Sequence, residues 1–441
     1  MRARGRVLRA SAAARQGMAG GPRAKTRAAP SPAVHRVGRI ALFGLFGSGN
    51  LGNDGSLKAM VEFLAERCPS AQLVCICRET EAVGRAFGIA AVELRRKPSV
   101  GVARLIDRAL LKVPGKLCDF MRAVRVIRRA DVMIVPGTGI LDDFGEKPLG
   151  MPFDILKWCL AARLAGTRIA FVSVGAGPIR NRWSRWLMVA AAGMADYRSF
   201  RDRASVEFMQ RIGAHKPGDR LYPDLAFRLA VPQGRAPPRE GAPVVGVGVM
   251  AYRGWYGYRK TGEDVFARYI DKMTRFVSAL MQRGHMVRLL IGDEEDLIAV
   301  EALQAAVSAL PMAARTDRMT VEMAHSLDEV MVQIGKVDIV VATRFHNVVC
   351  ALKLARPTIS IGYASKNDLL MAQMGLADYC QHIDDFDPDR LVTQVCRLHT
   401  DRERIARVIA ARTAEYAASL KRQEAHLLAT LLSSDAGGPG S

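Results

Sequence analysis

The chain has 441 residues, 49% of them apolar, with 64 lysines and arginines against 43 acids and a formal charge of +21. That is too much apolar chain for one ordinary core, so two domains of about 150 to 200 residues each are expected. No stretch reaches the ~18 to 20 uninterrupted apolar residues of a membrane-spanning helix, because the closest, residues 153–174, is broken by Asp154, Lys157, Arg163 and Arg168.

Much of the charge belongs to a tail. Residues 1–38 hold arginines and lysines with no acid, filled in by Ala, Gly, Pro and Ser, a composition that predicts disorder. A basic stretch of this kind makes no nucleic-acid partner necessary for the rest of the chain. Arginines around Val7 and Leu8 leave no signal-peptide core, and Met18 is a second candidate start.

A first Rossmann-like domain is expected over residues 39–230. Residues 39–46 form an apolar strand and 47–55 a glycine-rich turn, after which residues 56–66 carry Leu57, Met60, Val61 and Leu64 at helical spacing with Ser56 as N-cap. Further strands are predicted at 72–77, 131–136 and 168–174, with helical patterns around Val124 and over 155–165. This alternation argues for a parallel sheet covered on both faces. The eight cysteines contain no C-x-x-C pair, and Cys75 and Cys77 share one face of a strand. Such spacing suits packing of reduced thiols in the cytoplasm, with no metal site expected.

Three motifs in this half end predicted strands. "GLFGSGNLGNDGS" brings backbone N–H groups and a helix N-terminus together, with Asn50 and Asp54 as candidate contacts to a sugar or as holders of the loop. It lacks the Gly-Lys-Ser/Thr of a P-loop. "PGTGILDDFG" puts Asp142 and Asp143 after a buried strand, where they either bind sugar hydroxyls or cap the next helix, and "VSVGAGPI" reads as a turn at the cleft. In "YRSFRDRAS", Arg198 and Arg201 are candidate clamps for a carboxylate or phosphate.

Residues 231–243 are charged and proline-rich and read as a linker. Alternation resumes over residues 244–400, with strands at 244–250, 286–291, 337–342 and 358–361 and helices at 266–283, 297–310 and 327–336. Residues 401–432 predict one long helix or two, and 433–441 a polar tail. In "ATRFHNVVCALKLARPTISIGYASKN", Arg344 and His346 sit at the carboxyl end of a strand and share one side by alternation, with a helix beginning at Asn347 and a neighbouring strand returning Lys366. Those three side chains are expected to converge in a cleft between the two domains.

On the residues of "GSGNLGNDG", "VPGTGILDD", "SVGAGPI", "FRDRAS" with "YPDLAF", "VGVGVM" and "TRFHNVVCALKLARPTISIGYASKN", the chain resembles the polysaccharide pyruvyl transferase family over most of residues 39–400. It departs from the Asn-x-Gly-Asp pattern of the first loop by reading Asn50-Leu51-Gly52-Asn53 with Asp54 one place later. The resemblance implies an α/β fold of two Rossmann-like domains with parallel sheets facing across a cleft, similar to the B-type glycosyltransferase fold. It also implies transfer of pyruvate from phosphoenolpyruvate to sugar hydroxyls as a ketal. Donor-site residues carry over to Arg344, His346 and Lys366, and further to Arg201.

The chemistry agrees with the residues. Phosphoenolpyruvate joins a carboxylate to a phosphate, which calls for Arg201, Arg344, Lys366 and the helix start at Asn347. Proton traffic at the enol carbon and the attacking hydroxyl suits His346. Asn50, Asp54 and Asp142 are then acceptor-side candidates, with phosphoenolpyruvate as donor substrate and no cofactor. The acceptor is a cell-surface or exopolysaccharide or its lipid-linked precursor, on a cytoplasmic protein with an attraction to anionic membrane. Two rivals stand beside this reading: a nucleotide-sugar glycosyltransferase of the same architecture, and a non-enzymatic protein recruited to nucleic acid or membrane by the tail.

Overall fold

The computed structural model describes residues 37–96, 113–143, 146–233, 241–254, 262–311 and 318–432. The expected disordered tails (1–38 apart from its last two residues, and 433–441) and most of the 231–243 linker lie outside them. The described chain belongs to one compact unit, His35–Ser441.

Two all-parallel sheets carry the architecture. The first contains β1 (Arg39–Phe43), β2 (Gln72–Cys77), β3 (Ala90–Glu93), β4 (Val132–Pro136), β5 (Arg168–Val174), β6 (Tyr197–Phe200) and β7 (Arg220–Leu221), in the order β3-β2-β1-β4-β5-β6-β7. The second contains β8 (Val244–Gly248), β9 (Met286–Leu290), β10 (Met319–Val321), β11 (Ile339–Ala342), β12 (Thr358–Gly362) and β13 (Cys380–His382), in the order β10-β9-β8-β11-β12-β13. The central strands β1, β4, β5, β8, β11 and β12 are nearly continuous runs of buried residues, as expected of parallel strands covered on both faces. Strand order reverses between β1 and β4 and again between β8 and β11. Loops at the carboxyl ends of those strands are where a doubly wound sheet opens a crevice.

The first half carries helices α1 (Leu51–Arg67), α2 (Thr80–Phe87), α3 (Val113–Ile127), α4 (Met151–Leu164), α5 (Arg182–Gly193) and α6 (Arg203–Arg211). The second carries α7 (Gly262–Gln282), α8 (Leu297–Ser308), α9 (Leu327–Gly335), α10 (Phe345–Lys353), α11 (Ser365–Gln373), α12 (Pro388–Thr400) and α13 (Arg402–Leu427). The predicted C-terminal helix over 401–432 is one, α13, running on into a π-helical turn at Leu428–Leu432, and Asp401 separates it from α12. α13 ties the halves together: Thr413 donates to the Leu352 carbonyl, while Gln423 Nε2 donates to Ser173 and Ser199 of the first sheet at 2.9 and 2.8 Å. One apolar core runs from a face of the first sheet through α1 into the second half. A separate core fills the other face of the first sheet, under α3 to α6.

Three local expectations change. The first helix starts at Leu51, not after Ser56: the Asn50 side chain caps it by accepting from Asn53 N, and Ser56 donates within the helix to the Gly52 carbonyl. Gly52 and Gly55 made this turn look like loop, since glycine costs a helix interior about 1 kcal/mol each. Their use is close approach, because a β-carbon at 52 would overlap the His346 imidazole and one at 55 would overlap Leu327. Arg198, expected beside Arg201 as an anion clamp, instead lies buried in β6 on Asp219 and the Ala214 carbonyl. β6 itself went unread because its sequence, Tyr-Arg-Ser-Phe, carries that internal charge.

Gly55→Ala therefore forces Leu327 aside and should destabilise the protein by roughly 1–3 kcal/mol in denaturant titration. Gly193→Ala, where a β-carbon meets nothing within 4 Å, is the control and should stay within about 0.5 kcal/mol.

Candidate functional site

β11 ends at Ala342, and Thr343 turns the chain by donating to the Gly248 carbonyl. Arg344 then occupies the N-cap of α10, so Arg344 and His346 leave from the first turn of a helix rather than from one side of a strand. They diverge. Arg344 Nε and Nη2 donate to both Asp296 oxygens, the closest at 2.6 Å, and Nη1 lies 3.7 Å from Asp293. Burial draws the guanidinium pKa down, but Asp296 and Asp293 more than reverse it, fixing the charge.

His346 points across to the first half. Its Nε2 is buried, 3.6 Å from Asp224 Oδ2. The same oxygen lies 3.1 Å from Arg201 Nη1, while Oδ1 accepts from Ala226 N at 2.9 Å. Burial pushes the Asp224 carboxyl up, yet His346 and Arg201 together hold it well below the usual carboxylate range. Gly52 completes the seat, since any side chain there would occupy the space of His346 Nδ1. The Arg201 guanidinium stands 5.0 Å over the Phe345 ring, and Lys366 Nζ is 5.4 Å from Phe345 and 5.2 Å from Tyr363. Lys366 has no carboxylate partner among the described residues.

Arg201, Arg344, His346 and Lys366 line a cavity of about 240 Å³ with Phe345 and Tyr363, joined by Asn50, Thr138, Asp142, Asp143 and Glu146, while Asp224 lies behind it. A smaller hollow of about 80 Å³ shares Asp142, Arg201 and Lys366 with it and is walled by Ala364 and Ser365. The loops involved follow β1, β4 and β11, at the two points of reversal, together with β6 and β12. α10 and α11 both begin here without a side-chain cap, their N-caps being Arg344 and Ala364. Their first N–H groups are left for a ligand and favour an anion. On the opposite wall Asp143 accepts from Arg180 N and Asn181 N, and Glu146 from Met151 N. Thr138 is held at φ 62° with its hydroxyl buried and unpaired, a costly conformation for a β-branched residue and one that clusters at functional sites.

The cavity therefore gathers His346, Arg344, Lys366, Arg201, Asn50 and Asp142. It does not gather Asp54 or Asn347. Asp54 accepts from Gly47 N and holds the loop; burial raises its pKa to about 6 against that hydrogen bond, with Glu294 and Asp293 adding repulsion. Asn347 is fully buried behind the helix start with its amide unpaired. Asn50 caps α1 and donates to Asp293 at 3.0 Å across the seam. Sequence reasoning missed Asp224, whose signal was the "YPDLAF" motif, and Asp296, Phe345, Tyr363 and Thr138, which gave none. Among the described residues no group of three or more His, Cys, Asp or Glu is arranged to hold a metal ion, and all eight cysteines are unpaired.

A family model for polysaccharide pyruvyl transferase matches residues 50–365. No curated protein matches the chain. Among solved structures, S. aureus MnaA in complex with UDP is similar at 11% identity and TM-score 0.57, covering 89% of this chain and 96% of that one. A glycosyltransferase from Rickettsia africae is similar at 8% identity and TM-score 0.57, covering 91% and 100%. The UDP-GlcNAc 2-epimerase from Neisseria meningitidis follows at 9% identity and TM-score 0.52, covering 87% and 99%. At these identities the likeness is one of fold, the two-domain fold of B-type glycosyltransferases.

Asp224→Asn should cost roughly 3–5 kcal/mol at neutral pH, as for a broken buried ion pair. A depressed folded-state pKa gives stability that is present above the unfolded value of 3.8 and is lost as pH falls through the folded one. The gap between wild type and variant in thermal melts should close below that pH. Asp54 has the opposite sign: its raised pKa removes stability as pH climbs from 3.8 to about 6. Asp54→Asn should therefore raise the melting temperature at pH 8 and have little effect at pH 4.

Proposed function

Because the chain belongs to the polysaccharide pyruvyl transferase family, we propose that it transfers pyruvate from phosphoenolpyruvate to two hydroxyls of one acceptor sugar, closing a ketal and releasing phosphate. The observation that carries this reading is the meeting of Arg201, His346 and Lys366, from both halves, on one small cavity. At about 240 Å³ it falls below the ~300–1,000 Å³ of sites for drug-sized ligands, which favours a small dianion over a nucleotide sugar.

The donor's phosphate and carboxylate are assigned to Lys366, Arg201 and the uncapped starts of α10 and α11. Arg344 is already matched by Asp296, so it contributes directed hydrogen bonds, through Nη1 above all, more than net charge. Asn347 offers the backbone of the helix start and not its side chain. Asn50 and Asp142, on the other wall, meet the acceptor hydroxyls, and Asp54 supports their loop from behind.

Overall, the enol carbon gains one proton, the two hydroxyls lose two, and the second leaves with phosphate. Protonation at the enol carbon makes the neighbouring carbon electrophilic; one hydroxyl adds there, phosphate leaves, and the second hydroxyl closes the ring. His346 handles this traffic through Nδ1, with Nε2 turned to Asp224 so that the carboxylate fixes the orientation of the ring. A phosphoenolpyruvate donor places the reaction in the cytoplasm, and no described helix is long and apolar enough to cross a membrane. The acceptor belongs to a cell-surface or exopolysaccharide or its lipid-linked precursor, and no nucleic-acid partner is required.

The test is purified protein with phosphoenolpyruvate and a panel of glycosides, following phosphate release and the product's mass. His346→Ala should lower kcat by roughly 10² to 10⁴, and Lys366→Ala should mainly raise KM for the donor. Thermal stabilisation by UDP and not by phosphoenolpyruvate, with no phosphate released, would favour the glycosyltransferase alternative.

A further inference from the structure

The face of the first sheet turned away from the second half is covered by α3, α4, α5 and α6, whose inner sides form a packed core. Their outer sides carry an unusual load. Leu117 and Met121 are exposed one turn apart on α3, Leu160 and Leu164 on α4, and Trp183 and Trp186 on α5 at 58% and 62%. α3 packs beside α4 and α4 beside α5, so all three sets lie on the outer side of one layer of helices. Single exposed leucines are ordinary. Six large apolar side chains on three adjoining helices, two of them tryptophans, call for a partner.

The charge around them is one-sided. Lys116, Arg125, Arg182 and Arg185 are exposed on the same helices. The acids of these helices are Asp119, bound to Lys157 and Arg122, and Asp154, which is buried. Arg163 is matched by Asp196 at 2.9 Å; the other cations have no acid on their own helices left to answer them.

We infer that the backs of α3, α4 and α5 seat on an anionic lipid bilayer, tryptophans and leucines entering the headgroup region and arginines facing lipid phosphates. Tryptophan beside arginine on an otherwise apolar strip is the composition of an interfacial helix, and cations near an anionic leaflet add attraction. The seat adjoins the cavity. Met151, the first residue of α4, lines it, and the turn at Arg180 and Asn181 binds Asp143 on its wall. An acceptor anchored in the same bilayer would therefore be presented at the cavity's acidic side.

The tail of residues 1–38 is itself basic, so the measurement must report on this face. Full-length protein is mixed with phosphatidylcholine vesicles, with and without phosphatidylglycerol, whose acyl chains are brominated to quench tryptophans that enter the lipid. Of the four tryptophans, Trp158 is buried in the core. Emission should be quenched on anionic vesicles, and Trp183→Phe/Trp186→Phe should abolish most of the quenching. In co-sedimentation at 0.3 M salt, where charge attraction is screened to about 5 Å, Trp183→Ser/Trp186→Ser should bind at least about tenfold more weakly with an unchanged melting temperature. Unquenched emission overturns the inference, as does equal binding by the serine variant. So does an apolar face covered by a second copy, seen as a wild-type dimer that the serine variant converts to monomer without any effect on lipid binding. The assay contains neither donor nor acceptor, so its failure leaves the catalytic reading standing, and the reverse.

Discussion

One buried carboxylate oxygen joins the two halves of the protein. Asp224 Oδ2 takes Arg201 from the end of β6 at 3.1 Å and His346 from the first turn of α10 at 3.6 Å. At an effective dielectric of about 20, the full charge pair of Arg201 and Asp224 at such a distance is worth roughly 5 kcal/mol gross, set against the cost of drying the ions. The net is smaller, but the asymmetry is informative: Arg201 cannot leave without stranding a buried charge, and His346 cannot leave without taking a partner from the carboxylate. Arg201 and the imidazole are therefore placed relative to each other by the same interaction that closes the seam between sheets. Asp296 does for Arg344 within the second half what Asp224 does between halves, with a better-formed fork of hydrogen bonds.

The seam explains the glycines of the first loop. Read as chemistry, "GSGNLGNDG" suggests an anion cradle. In the fold, Gly52 and Gly55 are one turn apart on α1 and admit His346 and Leu327 from the second half, while Asn50 caps the helix and reaches Asp293. The motif's role at the site is mostly indirect. It sets how close the imidazole can come, and only Asn50 and Asn53 of its residues line the cavity.

What could be read in advance follows from what sequence encodes locally. Val132–Pro136, Arg168–Val174 and Thr358–Gly362 are apolar runs bounded by polar turns, so the strands and the parallel alternation were plain. The Arg-x-His helix start and returning Lys366 were legible because adjacent parallel strands must bring their carboxyl ends together. The start of α1 was not, since its two glycines are tolerated only because distant residues fill the space. Arg198 and Arg201 look alike in sequence; which one is buried on Asp219 and which faces the cavity depends on β6 pairing with β5 and β7. Asp224 was visible in the "YPDLAF" motif, but its role was not, its partners being 23 and more than a hundred residues away.

The cavity's charges divide by wall. Arg344 and Lys366 come from the second half together with two uncapped helix starts, whereas Asp142, Asp143 and Glu146 come from the first. Arg201 crosses that division, reaching over the Phe345 ring to the cationic side. With Arg344 matched by Asp296 and Arg201 by Asp224, the uncompensated positive potential concentrates at Lys366 and the helix starts, so an anion has one preferred side. Carboxylates on the facing wall would repel that anion and are suited to hydroxyl donors instead. A site polarised in this way orients an anionic donor against a neutral polyol before either reacts, and on the proposed reading the imidazole stands at the boundary between them, where a proton must pass.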